Sequence, residues 1–232
     1  MGVPTFVGIE AHEMINTNGN HKDRMNAPKD WQQAKAPNFW GAVAVVDHVV
    51  QFYEKDEILI NALAGFVGDG INCDDACVII ATPEHIASLD NRLKEHGLHI
   101  EALMADNRYF PVDAEETLSK FMIDDWPDAP LFFLTISELL APIKKTGRRV
   151  RAFGEMVALL WKSGNRDATL QLEYLWNQFC ENEPMSLFCA YPSDGSDDDL
   201  QSALSKVCCA HSMVISGSDN QMSEITYRIV ER

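Results

Sequence analysis

The run ACVIIAT (76–82) constrains this chain more than any other feature. It is continuously apolar, rich in β-branched residues, and stopped by Pro83. A strand with no polar alternation has no side to turn toward water, so it needs cover on both faces, as in the middle of a parallel sheet. SLFCAYP (186–192) has the same character, and GAVAVVDHVVQFY and RRVRAFG supply two further strands. Between these runs lie helical patterns. In EKDEILINALAGFVGDG, Ile58, Leu59, Ala62, Leu63 and Phe66 recur at helical spacing, and Gly68 and Gly70 are placed to end the helix. Thr82 and Pro83 form a cap and first helical residue for PEHIASLDNRLKEHG, which Gly97 closes.

The alternation continues. IEALMADN is a short helix and RYFPVD (108–113) a strand, followed by helices over AEETLSKFMID and PLFFLTISELLAPIKKTG. GEMVALLWKSG and RDATLQLEYLWNQFCEN form two helices broken at Gly164–Asn165, and DDDLQSALSKVCCAHS forms another. EITYRIVE (224–231) alternates as an edge strand does. Strands separated by helices of this length predict an α/β fold in three layers, a mostly parallel sheet with helices on both faces. Residues 1–39, rich in Asn, Lys, Asp and Pro, read as a tail or arm, partly disordered. Residues 40–215 form the domain, and 216–232 complete it with the edge strand.

The charge narrows the partners. A formal net charge of −16 repels a phosphate backbone, and the one basic cluster, KKTGRRVR (144–151), reads as a solvated helix end. Direct nucleic-acid binding is therefore not expected. No apolar run is long enough to span a bilayer, and the N-terminus has no secretory pattern, so a cytoplasmic location is expected. Cys73, Cys77, Cys180, Cys189, Cys208 and Cys209 read as reduced thiols, mostly buried. Neither the Cys73–Cys77 spacing nor the adjacent pair suits a zinc knuckle. No metal or cofactor is expected, although haem or a metal through His48 and His211 is conceivable.

Several segments, in one order, resemble the MEDS family (methanogen/methylotroph, DcmR sensory domain). They are HVVQFYEKDEILINALAGFVGDG, ACVIIATPEHIASLDNRLKEHG, RVRAFGEMVALLWKSGN, LEYLWNQF, SLFCAYP and CCAHSMV. The resemblance implies a RecA/KaiC-like fold without a P-loop and a role in sensing small hydrocarbon derivatives. It also implies a signalling partner, such as a kinase or a transcription regulator, or action through a homodimer. The loss of the phosphate site is visible in the residues. No G-x-x-x-x-G-K-[ST] string exists, and Asp47 and His48 stand where its lysine and hydroxyl would fall.

An open α/β sheet binds ligands outside the carboxyl ends of its strands. The strand endings nominate His48, Phe52 and Tyr53 at the first turn and Thr82, Glu84 and His85 after the second strand. Phe153 and Glu155 end the third, Tyr191 ends the fourth, and His211 lies on the last helix or its exit. Trp161 lies on an apolar helical stripe that reads as core or as pocket lining. His48 and His211 read as ligand-facing or as satisfied structural imidazoles. Glu84 reads first as favourable charge in a helix first turn. Glu155 reads as a cap or an ion-pair partner of Arg149 or Arg151, or as a ligand contact. No nucleophile–base constellation accompanies it, so no catalytic residue is assigned. The expected function is a non-enzymatic sensory module for a small, apolar or hydrocarbon-derived ligand. The alternatives are an interaction module with a vestigial pocket and a cryptic nucleotide-binding or ATPase-like protein.

Overall fold

The computed structural model describes residues 31–35, 48–192, 207, 211–216 and 224–228. In chain order the elements are β1 (Trp31–Lys35), β2 (His48–Tyr53), α1 (Asp56–Asn72), β3 (Ala76–Ala81), α2 (Pro83–Glu95), α3 (Ile100–Ala105), β4 (Tyr109–Asp113) and α4 (Ala114–Ser119). Then come β5 (Met122–Ile123), β6 (Trp126–Pro127), α5 (Ala129–Lys144), β7 (Val150–Gly154), α6 (Met156–Lys162), α7 (Arg166–Asn182), β8 (Ser186–Pro192), β9 (Met213–Ser216) and β10 (Glu224–Arg228).

The main sheet has the order β1-β10-β9-β2-β8-β7-β3-β4. The stretch from β9 to β4 is parallel throughout, and β10 and β1 add antiparallel pairings. The sheet is buried on both sides, as the unalternating runs predict. On one face α1, α2 and α3 pack over Val49, Tyr53, Cys77, Ile79, Phe153 and Phe188. On the other, α5, α6 and α7 pack over Val50, Val78, Ile80, Ala152, Leu187 and Tyr191. Odd and even positions of one strand therefore serve two separate cores.

Three local expectations change. The pattern AEETLSKFMID does not stay helical: α4 ends at Ser119, and Met122–Ile123 pairs with Trp126–Pro127 across Asp124 and Asp125. Both aspartates have positive φ, 48° and 61°, which a two-residue hairpin turn demands and Asp tolerates. The EITYRIVE strand is not the sheet's edge, because β10 lies between β9 and β1. The outermost strand, β1, comes from the segment read as an arm. The expected helix DDDLQSALSKVCCAHS falls outside the described residues except at Val207, which is helical, and at His211 and Ser212, which lead into β9. The break at Gly164–Asn165 holds for a clear reason: Gly164 has φ +82°, and the Asn165 side chain accepts from Ala168 N–H to cap α7.

The cluster 144–151 is not wholly a solvated helix end. Arg151 is buried and pairs with Asp75 at 2.7 Å and with Asp69 at 2.9 Å. Asp75, also buried, binds Arg149 at 2.8 Å as well. The pair ties the turn after α1 to the start of β7. Removing one partner of a buried pair leaves the other charge uncompensated. D75A should therefore cost about 3–5 kcal/mol, nearer the lower figure because Asp69 stays beside Arg151. Urea unfolding of the full chain measures this, and a loss below about 1 kcal/mol contradicts it.

Candidate functional site

The carboxyl ends of β3 and β7 meet at Glu155, the residue that follows β7 and precedes α6. Its backbone N–H continues the sheet pattern to Ile80 O at 2.8 Å. Its side chain makes no cap bond to α6. One carboxylate oxygen instead accepts from Thr82 N–H at 2.9 Å, and the other accepts from His85 Nδ1–H at 2.8 Å. Glu155 is thus neither a helix cap nor the partner of Arg149 or Arg151, which sit with Asp75 at the opposite ends of the strands. It ties two adjacent strand–helix turns together. The hydrogen bond from Glu155 holds the His85 pKa above its ordinary value, with burial opposing it. Asp56, at 3.6 Å from His85 Nε2, adds to the same effect.

Tyr53, at the end of β2, completes this corner. Its ring is buried, and its hydroxyl has no hydrogen-bond partner among the described residues. Burial raises its pKa strongly, and the charges of Glu155 and Asp56 raise it further. An orphaned buried hydroxyl is uncommon and costs stability unless something occupies it. His85 was nominated with Thr82 and Glu84 by its place after the second strand, but not as the partner of Glu155, and Asp56 was not nominated.

Other expected site residues lie elsewhere. Glu84 is exposed in the first turn of α2 and lines nothing. Phe153 is fully buried in the α1–α2 core, edge-on to Phe188 at 5.3 Å. Phe52 points to the opposite core, stacked on Tyr191 at 5.8 Å, and Trp161 meets Tyr191 edge-on at 5.3 Å. The sheet therefore separates Tyr53 and Phe153 from Phe52, Trp161 and Tyr191.

His48 and His211 depart furthest. His48 is the first residue of β2, not part of a turn after it, and His211 precedes β9. Parallel pairing of β2 with β9 brings their leading ends together. The two rings stand with centroids 3.9 Å apart, beneath Glu173 of α7 and beside Cys189 of β8. Rings so close cannot hold a haem between them. Burial lowers the His48 pKa to about 4, against a hydrogen bond with Asn177 that raises it. Burial and then His48 push His211 well down. Burial also raises the Glu173 carboxyl to about 8. Among the cysteines, Cys77 and Cys189 are buried as expected, Cys180 is half-buried and Cys73 is exposed, while Cys208 and Cys209 lie outside the described residues.

A family model for the MEthanogen/methylotroph, DcmR Sensory domain matches residues 47–212. The chain belongs to the MEDS family. The match spans β2 to the residue before β9 and so contains both clusters. No curated protein gives a match. Among solved structures, the fold is similar to a KaiC-like protein from the hyperthermophilic archaeon Pyrococcus horikoshii OT3. That similarity has a TM-score of 0.50 and 10% identity, and covers 78% of each chain. The MEDS chain thus has the KaiC-like RecA fold that its sequence predicts. No described helix is long and apolar enough to cross a membrane.

The Glu155 corner carries a pH signature. A raised His85 pKa means the pairing contributes in full below the unfolded histidine value, about 6.5, and is lost as pH rises through the raised folded value. E155Q should remove that dependence, lower the His85 pKa seen by NMR, and cost about 1–3 kcal/mol. An unchanged His85 titration in the variant contradicts the assignment.

Proposed function

We propose that this MEDS chain is a non-enzymatic sensory and regulatory module. It binds a small, weakly polar, hydrocarbon-derived molecule at the carboxyl ends of the strands. It passes the signal to a protein partner, such as a kinase or a transcription regulator. The observation that carries the ligand reading is the Tyr53 hydroxyl, buried and unpartnered among the described residues, beside the Glu155–His85 pair. A polar atom on an otherwise apolar molecule satisfies that hydroxyl, while aromatic rings of the strand ends supply apolar surface.

The non-enzymatic reading rests on commitment of the one buried acid there. Each oxygen of Glu155 accepts one hydrogen bond from an adjacent turn, so the carboxylate is held in a structural role. No P-loop string exists in the sequence to hold a triphosphate. Signalling then requires that the ligand favour one conformation over another. The full burial of Phe153 and Tyr191 favours a second reading, a protein-interaction module whose crevice is filled by its own rings.

A melting-temperature screen of the full chain against short halogenated and methylated compounds distinguishes these. The sensory reading expects at least one compound to raise the midpoint in a saturable way. Y53F should weaken that compound about fivefold to tenfold, the equivalent of one lost hydrogen bond, while raising the unliganded midpoint, because it removes an unpartnered buried hydroxyl. If no compound shifts melting and a partner binds the ligand-free chain tightly, the interaction reading replaces it. Saturable binding of ATP with magnesium in titration calorimetry overturns both.

A further inference from the structure

The cluster at the leading ends of β2 and β9 has the donors, the spacing and the support of a metal centre. His48 Nε2 lies 3.5 Å from Glu173 Oε2 and 3.3 Å from Cys189 Sγ. His211 Nε2 lies 3.4 Å from the same Glu173 oxygen, and Cys189 Sγ lies 3.9 Å from it. All four donor atoms fall within 4.8 Å of one another. Bonds of about 2.0–2.3 Å to one tetrahedral ion place its ligand atoms roughly 3.3–3.8 Å apart. The four separations given lie at or close to that spacing, and the remaining two fall within 4.8 Å.

The outer contacts aim the donors inward. The Val207 carbonyl can only accept, so at 2.6 Å it fixes a proton on His211 Nδ1. Asn177 Oδ1 does the same for His48 Nδ1 at 2.9 Å. Each neutral ring then turns an Nε2 lone pair toward the shared centre. Tyr191 O–H donates to the other oxygen of Glu173, leaving Oε2 as the inward donor. Metal-binding histidines are held this way, with the second ring nitrogen donating to a carbonyl or amide oxygen.

His211 Nε2 is fully buried and has no hydrogen-bond partner among the described residues. It faces Glu173 Oε2 at 3.4 Å, and once that carboxyl is ionised the two stand acceptor toward acceptor. A cation between them satisfies both at once, and also the Cys189 sulfur and His48 Nε2.

We infer that His48, Glu173, Cys189 and His211 form a buried four-coordinate site for a divalent transition metal of the zinc class. Two imidazoles, one thiolate and one carboxylate suit zinc, iron or cobalt and exclude magnesium and calcium, which take oxygen donors. The site joins β2, β8, α7 and the entry to β9, the sealed geometry of a structural centre. It differs from the expectation of no metal because the donors are scattered along the sequence from His48 to His211. No local spacing of histidines and cysteines announces them. Its donors lie on the α7 face of the sheet, whereas Glu155 pairs with Thr82 and His85 on the α2 side, so each site can fail without the other.

The test uses the full chain. Protein produced in zinc-supplemented medium and purified without chelator should carry equimolar zinc by elemental mass spectrometry. X-ray absorption should show a single sulfur among four ligands. Refolding from urea with cobalt should give four-coordinate visible bands and a near-ultraviolet thiolate-to-cobalt band. C189S should abolish the near-ultraviolet band in protein that still melts cooperatively, and C73S, at an exposed thiol, should retain it. Negligible metal after growth in zinc together with no cobalt spectrum overturns the site. So does bound metal whose spectrum is unchanged in C189S, or a zinc shell with no sulfur or several.

Discussion

A parallel sheet covered on both faces leaves no water for any polar side chain it carries. That constraint organises the rest of this molecule. The central strands β3, β7 and β8 are buried along almost their entire length, and the apolar residues on them fill two separate cores. Any charge admitted to such an interior must be paired or pay several kcal/mol. The buried polar residues obey this in three groups at distinct places. Asp75 and Arg151 pair where β7 begins. Glu155, Thr82 and His85 join where β3 and β7 end. Glu173 gathers His48, Cys189, Tyr191 and His211 between α7 and the sheet. The first group is closed by an ion pair. The second has an orphan hydroxyl beside it, and the third contains an orphan imidazole nitrogen.

Layers and element types were legible in the sequence because period and length carry them. ACVIIA and SLFCAY have no polar alternation, and only double-sided cover accommodates them. Thr82 caps α2 through His85 N–H, as the Thr-Pro junction predicts. Register and depth were not legible. Reading His48 as a turn residue placed it at the wrong end of β2, because the apolar run GAVAVVDHVVQFY gives no sign of where pairing starts. Once β2 begins at His48, the imidazole falls on the α7 face with Val50, and the candidate crevice loses a member. Glu155 was found by its position after a strand, yet its partner was misjudged. Arg149 and Arg151 are close in sequence but lie at the far end of β7, whereas His85 arrives through the adjacency of β3 and β7.

Of the third group the sequence paired His48 with His211 as conceivable ligands, but Glu173 and Cys189 were missed for a different reason. Glu173 reads as one polar residue in an amphipathic helix, and Cys189 as one apolar-like residue in a buried strand. Their meaning arises only where α7 crosses β8 and where β9 returns beside β2. Long-range parallel pairing creates that juxtaposition, and no window of the sequence contains it.

The electrostatics of the strand ends finally separate this MEDS chain from the nucleotide-binding use of the same fold. A triphosphate needs donors and positive charge at the turn after the first strand. Here the turn after β2 carries Glu54, Asp56 and Glu57 around one Lys55, and the turn after β7 carries Glu155. The buried imidazole in that corner, His85, is already held by Glu155. A polyanion placed there meets like charge with no compensating partner, at a cost that the low dielectric near the buried carboxylate magnifies. An uncharged molecule meets no such penalty. It needs only apolar contact and one hydrogen bond, and Tyr53 holds a hydroxyl free to make it.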